Sequence, residues 1–227
     1  YKEVLLSAKD SFQKGVIITD TGSVKKEINR IFENLNLKNV FWLTSHPIAG
    51  TEESGPNAGF KNLFKDRWTI ICENENSNKE KVEKLKKFWE FLGSKVKVMS
   101  ISDHDYILAL TSHLPHAVAY NIVMTAINTD DKFKNEIIKY SAGGLRDFTR
   151  IASSDPLMWK DIFIDNSDNI IRILDDFSKN INNFKKAVLE KNSDKLLKMF
   201  ASTKNVRKEI IKAGQDVRSP DFGRKKD

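Results

Sequence analysis

The chain changes character near residue 102, and this change limits the folds that it can adopt. Before that point, runs of β-branched and aromatic residues alternate with helical patterns, whereas afterwards apolar residues recur only at helical spacing. The predicted strands cover residues 16–20, 40–45, 68–73 and 95–99, and the helices between them cover 24–35 and 79–92. Strands alternating with helices indicate an α/β layer with a largely parallel sheet. We therefore predict an α/β domain over residues 1–101 and an all-helical domain over 102–227.

The first predicted helix of the second half, residues 102–128, carries apolar residues on several of its sides. In a small helical domain, such a helix needs more cover than one chain supplies. We therefore expect a homodimer with this helix in or near the interface. Further helices are predicted around residues 155–164, 169–191 and 194–213.

Composition narrows the class of protein. The net charge of +7 would suit a nucleic-acid-binding protein, but most lysines alternate with acidic residues, as in Lys79–Lys84, which is typical of a solvated helix face. The basic residues at 218–226 are consistent with a frayed tail or with a phosphate-binding arm. No apolar run approaches the roughly 18 residues of a membrane span. The single cysteine, Cys72, permits no internal disulfide. These features predict a cytoplasmic protein without nucleic-acid or membrane partners.

Two polar segments follow predicted strands. The first, Asp20–Lys25, precedes a helix, so Ser23 is either a helix N-cap or part of a ligand site at the carboxyl end of the sheet. The second, Ser45–Glu52, contains His46 on a predicted loop. A loop histidine is often an ordinary surface residue, but at a strand end it can also serve as an acid or base near neutral pH.

A third candidate region lies in the helical half. His113 and His116 are three residues apart, and Pro115 between them should kink the helix. The sequence offers no third metal ligand at a suitable spacing, which argues against a metal site. Arg146 and Arg150 are four residues apart on a helix after Gly143-Gly144. Such a pair suits a dicarboxylate ligand, although salt bridges to nearby aspartates explain it as well.

Taken together, these segments resemble the prephenate dehydrogenase family, which includes the arogenate and cyclohexadienyl dehydrogenases. The matching blocks occur in the same order and at similar spacing. They are Ile18-Thr19-Asp20-Thr21-Gly22-Ser23-Val24-Lys25, Ser45-His46-Pro47-Ile48-Ala49-Gly50-Thr51-Glu52-Glu53-Ser54-Gly55, Asp103-His104-Asp105, Thr111-Ser112-His113-Leu114-Pro115-His116, and Gly143-Gly144-Leu145-Arg146-Asp147-Phe148-Thr149-Arg150-Ile151-Ala152-Ser153-Ser154-Asp155-Pro156.

The resemblance implies an NAD-dependent oxidative decarboxylation of prephenate to 4-hydroxyphenylpyruvate in tyrosine biosynthesis, with NADP as an alternative cofactor. It implies that His46 is the catalytic base, with Ser23 beside it and beside the nicotinamide. His116 and Arg150 would bind the substrate, Thr51 and Gly143 would line the pocket, and Glu52 and Arg146 would form an ionic gate over it. The implied fold is the C-terminal half of a Rossmann-like nucleotide-binding domain followed by a helical dimerisation domain. No metal is implied.

One departure from the family concerns the cofactor. The ten glycines contain no Gly-x-Gly-x-x-Gly spacing, and the chain opens with a helical pattern that no strand precedes. We therefore expect this chain to bind dinucleotide poorly on its own. Three alternatives stay open at this point: an arogenate or cyclohexadienyl dehydrogenase, another reductase of the same two-domain build, and a non-catalytic dimerisation fragment.

Overall fold

A computed structural model describes residues 1–49, 55–74 and 77–213 of the chain. The chain divides into two compact units, Tyr1–Ile173 and Leu174–Asp227. The first unit contains every strand of the described residues and all the predicted site residues that the structure describes. The change from strands to helices falls between Ser100 and Ile101, next to the predicted domain boundary.

The first hundred residues form the predicted α/β layer. Its elements are α1 (Lys2–Ala8), β1 (Val16–Ile18), α2 (Lys26–Leu35), β2 (Val40–Trp42), β3 (Ser45–Pro47), β4 (Trp68–Glu73), α3 (Lys79–Phe91) and β5 (Lys95–Ser100). Strands β1 and β2 pair in parallel, and so do β4 and β5, whereas β3 runs antiparallel to β4. The strands therefore form a two-stranded parallel sheet and a three-stranded mixed sheet, so the layer is less uniformly parallel than the sequence predicts.

Strands β2 and β3 lie on one continuous stretch of chain, interrupted only at Leu43-Thr44. The Leu43 N–H donates to the carbonyl of Ile18 in β1, and the Cys72 N–H in β4 donates to the carbonyl of Thr44. These two bonds join the strand pairs, so the carboxyl end of β1 lies beside β3. The core under this sheet is formed mainly by α3 and consists of Leu43, Ile71, Val82, Leu85 and Trp89.

The rest of the chain is helical, as predicted. The elements are α4 (Ile101–Leu108), a π-helical turn (Ala109–His113), α5 (Leu114–Ile127), α6 (Asp131–Lys139), α7 (Gly143–Thr149), a 3₁₀ turn (Arg150–Ser153), α8 (Pro156–Asp165), α9 (Ser167–Leu189) and α10 (Ser193–Lys212).

The π-helical turn directly precedes Pro115, where the sequence predicts a disturbance of the helix. Proline has no N–H to donate to the carbonyl four residues earlier. The preceding Leu114 N–H instead reaches back five residues to the carbonyl of Ala109, which widens the turn. The widened turn ends at His113 and brings that ring into the protein interior.

Helix α5 is less covered within one chain than its apolar sequence suggests. Only Ala117 and Ala119 of this helix are buried, while Val123, Met124 and Ile127 are exposed. Burial of this helix on several sides is therefore not achieved by the described residues of a single chain. Contrary to the expectation from the sequence, the stretch Ile101–Ile127 is long and apolar enough for a membrane span by length and composition alone, although it contains the buried polar residues His104, Asp105 and His113.

A buried ion pair fixes the segment between β1 and α2. The ammonium group of Lys25 lies 2.5 Å from the Asp20 carboxylate and donates to the carbonyl of Ser45 at 2.8 Å. The Lys25 side chain is fully buried, and this burial lowers its pKa, although the charge of Asp20 opposes the shift. A charge removed from water this completely needs its partner, because an unpaired buried charge is strongly unfavourable.

Replacing Lys25 with methionine should therefore lower the free energy of unfolding by about 3–5 kcal/mol, since it leaves the Asp20 carboxylate buried without its cation. The matched control is Lys26→Met, because the neighbouring Lys26 is largely exposed and pairs with Asp168 at the surface. That change should cost no more than about 1 kcal/mol. Urea denaturation measures both variants. Equal stability of the two would contradict a structural role for the buried pair.

Candidate active site

The carboxylate of Asp20 holds the segment after β1 against the start of β3. It accepts hydrogen bonds from the backbone N–H groups of Gly22 and Ser45, from the hydroxyl of Thr44 and from the ammonium group of Lys25. The Ser45 hydroxyl adds a bond to the Asp20 carbonyl at 2.8 Å. The segment that carries Ser23 is therefore tied to the residue that directly precedes His46.

Ser23 is partly buried in this segment, but it is not the N-cap of α2 as the sequence predicts. The helix begins at Lys26 with Lys25 in the cap position, and the cap uses no side chain of its own segment. Asp105 supplies the acceptors instead, with one carboxylate oxygen for the Lys25 N–H and the other for the Lys26 N–H, each at 2.9 Å. The Ser23 hydroxyl is thus not used for capping.

His46 lies in strand β3, opposite Ile70 of β4, and not on a loop. The antiparallel pairing with β4 extends through Pro47, so the strand continues past the point where the sequence predicts its end. Burial lowers the pKa of His46 well below its usual value, and the positive forms of His104, Lys25 and His113 lower it further. The ring is therefore neutral at pH 7 and able to accept a proton.

His104 contacts His46 directly, with 2.9 Å between His46 Nδ1 and His104 Nε2. The other nitrogen of His104 lies 2.8 Å from Oδ1 of Asp105. Both residues are buried. The family resemblance covers His104 and Asp105 but implies no role for them. Their position directly after β5, where a strand meets a helix, is the signal that could have identified them.

His116 lies in α5, and its Nδ1 donates to the carbonyl of Ser112 at 2.9 Å. Trp159 of α8 stacks on its ring, with 3.5 Å between centroids and 21° between planes. No sequence pattern pointed to Trp159. Burial lowers the pKa of His116, and the positive charge of Arg150 lowers it further, although the bond to Ser112 opposes the shift. The 3₁₀ turn that Arg150 begins packs against α5.

The two arginines differ in environment. Arg146 in α7 is 75% exposed and pairs with Asp147, whereas Arg150 is partly buried and begins the 3₁₀ turn after that helix. The two arginines therefore do not share one α-helix, because α7 ends at Thr149, directly before Arg150. Gly143 is the first residue of α7 and is partly buried.

Two predicted site residues, Thr51 and Glu52, lie outside the described residues. His113 Nδ1 lies 3.2 Å from the Asn166 amide, and His116 Nδ1 donates to the carbonyl of Ser112. No group of three or more metal-binding side chains occurs among the residues that the structure describes.

All four histidines of the chain nevertheless gather in one region. His46 and His104 are in contact, and the charge of His113 influences His46 while those of His104 and His116 influence His113. Burial lowers the pKa of His113 to about 4. A cavity of about 570 Å³ that touches Lys26, Glu73 and Asp105 contains none of the predicted site residues. We place the site at the histidine cluster, where the chemically competent groups converge.

Comparison with family models divides the chain almost as its secondary structure does. Residues 1–98 match the nucleotide-binding domain of prephenate dehydrogenase, and residues 100–202 match its dimerisation domain.

Individual relatives agree with this division. The cyclohexadienyl dehydrogenase of Zymomonas mobilis is 36% identical over 92% of this chain and 70% of its own length. The prephenate dehydrogenase of Bacillus subtilis is 30% identical over 88% of the chain, but the chain spans only 54% of that protein.

Solved structures give the same result. Prephenate dehydrogenase from Aquifex aeolicus, crystallised with hydroxyphenyl propionate and NAD⁺, aligns over 92% of the chain and 72% of its own, with a TM-score of 0.85 and 35% identity. Arogenate dehydrogenase from Synechocystis shares the fold, with a TM-score of 0.79 at 22% identity. The predicted order of a Rossmann-like nucleotide-binding domain followed by a helical dimerisation domain is confirmed. The chain belongs to the prephenate dehydrogenase family.

Proposed function

We propose that this chain carries the catalytic centre of an NAD-dependent prephenate dehydrogenase, which converts prephenate to 4-hydroxyphenylpyruvate and CO₂. The observation that supports this proposal most strongly is the neutral, half-buried His46 at the strand edge beside the Ser23 segment, within a member of this family. The reaction needs a base for one hydroxyl proton and an aligned hydride acceptor, and it needs no metal.

His46 is the proposed base. As hydride leaves C4 of the substrate ring, the C4 hydroxyl becomes a carbonyl and its proton passes to the imidazole. Loss of the ring carboxylate as CO₂ then sends its bonding electron pair through the ring to the C4 oxygen, which gives the aromatic phenolate directly, and a proton returns to that oxygen. A neutral ring is required for the first step, and burial of His46 keeps it neutral.

NAD⁺ supplies the hydride acceptor when it is bound. The described residues fit its nicotinamide end, because Ser23 lies at the carboxyl end of the parallel pair β1–β2 with its hydroxyl not used for capping. The described residues do not offer a comparable fit to the pyrophosphate of NAD⁺. The first N–H groups of α2 already bond to Asp105, and the sequence contains no Gly-x-Gly-x-x-Gly spacing.

The substrate carries two carboxylates, and we assign one of them to Arg150. The guanidinium group is partly buried near His116, where water screens its charge less than at the surface. His116 would contact the substrate side chain, Thr51 and Gly143 would line the pocket, and Glu52 with Arg146 would gate it. The exposed position of Arg146 is compatible with a gate at the rim.

Arogenate is the second candidate substrate, because a cyclohexadienyl dehydrogenase is among the relatives above 30% identity. Arogenate replaces the keto group of prephenate with an amine, so both substrates use the same base and the same ring chemistry. The ratio of kcat/KM for the two substrates separates the alternatives. NADP in place of NAD is tested in the same assay.

Turnover by the full-length gene product should be visible as NADH formation when prephenate and NAD⁺ are added. His46→Asn should lower kcat by roughly 10²–10⁴-fold while KM changes little, because the variant loses the base and keeps the pocket. His116→Asn is the comparison, since it should raise KM more than it lowers kcat. A folded, dimeric wild-type protein that reduces no NAD⁺ with either substrate would indicate a non-catalytic dimerisation module.

Arg150→Gln should raise KM for prephenate roughly ten- to a hundredfold, which corresponds to about 1.5–3 kcal/mol for a charge-assisted contact. KM for NAD⁺ and the melting temperature should stay close to the wild-type values. Arg30→Gln, at an exposed arginine paired with Glu27, is the matched control and should change none of these quantities appreciably. A lower melting temperature with an unchanged KM would assign Arg150 a structural role instead.

We further propose that the protein is a homodimer through its dimerisation domain and that it works in the cytoplasm without nucleic-acid or membrane partners. The exposed apolar residues of α5 support the dimer, because a second chain would cover them. The free, buried thiol of Cys72 is compatible with a reducing compartment.

Sedimentation at micromolar concentration should therefore give a dimer. Met124→Lys should weaken it, because Met124 is 52% exposed on α5 and a charge there would have to be buried in the interface. Phe91→Lys, at an exposed apolar residue of α3 in the other domain, should leave the dimer intact. A monomeric wild-type protein under these conditions would refute the proposed assembly.

A further inference from the structure

Asp105, His104 and His46 form an unbroken chain of hydrogen-bonding groups. Oδ1 of Asp105 lies 2.8 Å from His104 Nδ1, and His104 Nε2 lies 2.9 Å from His46 Nδ1. His104 is fully buried and Asp105 is 2% exposed. The three hydrogen-bonded side chains therefore connect the protein interior to the ring of His46, which is the proposed base.

The Asp105 carboxylate determines which ring nitrogens of His104 and His46 carry protons. A carboxylate can only accept, so His104 Nδ1 carries the proton of the first bond. In a neutral imidazole the other nitrogen, Nε2, then bears a lone pair and accepts from His46 Nδ1–H. His46 is left with its lone pair on Nε2. The opposite polarity, with a proton on His104 Nε2, would place the His46 proton on Nε2 and block its use as a base.

Asp105 itself cannot reorient without cost. Its two oxygens also accept the Lys25 and Lys26 N–H groups at the start of α2. A negative charge at this helix end is favoured by the helix dipole as well as by the two bonds. The same carboxylate therefore anchors the histidine chain and the helix that follows the Ser23 segment.

We propose that His104 and Asp105 are positioning residues for the reaction. They fix His46 as the Nδ1–H tautomer, so that its Nε2 is the nitrogen that takes the substrate proton. The inference rests on the proposed function for its catalytic consequence, but the tautomer itself is a property of the protein without ligands.

Nitrogen-15 NMR of protein labelled only at histidine tests the tautomer directly. The protein has four histidines, so the spectrum contains few ring-nitrogen signals to assign. In the wild-type protein at neutral pH, His46 and His104 should each show a protonated Nδ1 and an unprotonated Nε2. A protonated Nε2 on His46 would overturn the proposal, whether or not the protein turns over prephenate.

Substitution tests the catalytic consequence. His104→Phe keeps an aromatic ring but removes the acceptor, so kcat should fall by roughly 10²-fold or more, with KM for prephenate and NAD⁺ within about threefold. His104→Gln can again present an oxygen near the former Nε2 position, and it should recover most of the lost kcat. Trp89→Phe, at a buried aromatic residue in the core under the sheet, is the control for a substitution in the interior and should leave kcat close to the wild-type value.

The outcomes separate this inference from the proposed function. If His46→Asn abolishes turnover while His104→Phe and His104→Gln both retain wild-type kcat, the positioning role is wrong and the dehydrogenase assignment stands. If His104→Phe does not fold, kcat of the glutamine variant and the His46 tautomer in the wild-type spectrum still test the positioning role. Equal losses in the phenylalanine and glutamine variants, with an unchanged His46 tautomer, would also overturn the positioning role.

Discussion

The arrangement of the site depends on the hydrogen bonds that the Asp105 carboxylate accepts. This carboxylate belongs to α4, in the part of the chain that matches the dimerisation domain, yet it accepts the first N–H groups of α2 in the nucleotide-binding part. Both parts lie within the unit Tyr1–Ile173. A buried carboxylate with three donors around it is stable only if all of them are in place, so folding of the first unit and formation of the site are coupled.

The candidate site combines two environments that the proposed reaction requires. Around His46, burial and the nearby Lys25 ammonium group keep the imidazole neutral, which the proposed base needs. Near His116, the permanent charge of Arg150 offers a partner for a carboxylate, because a guanidinium group does not lose its proton in proteins. A single residue type could not supply both functions at neutral pH. The separation of base and anchor suits a substrate that carries its reacting hydroxyl and its carboxylates at different positions.

Much of the fold follows from local patterns, since strands and helices are determined largely by the spacing of apolar residues along the chain. The sequence predictions fail where a distant residue intervenes. Ser23 has the sequence context of an N-cap, but Asp105, eighty residues beyond Lys25, takes that role. His46 is followed by proline and was predicted on a loop, but pairing with β4 extends the strand. Trp159 stacks on His116 from another helix, and no local pattern reveals such a contact.

The central claim is that His46 Nε2 faces the reacting oxygen while Arg150 holds a carboxylate of the same ligand. A crystal structure of the full-length protein with NAD⁺ and hydroxyphenyl propionate tests this claim most directly. We expect the phenolic oxygen within about 3 Å of His46 Nε2 and the ligand carboxylate in contact with Arg150. A ligand bound away from His46, or a His46 Nε2 bonded to a protein carbonyl in that complex, would contradict the account.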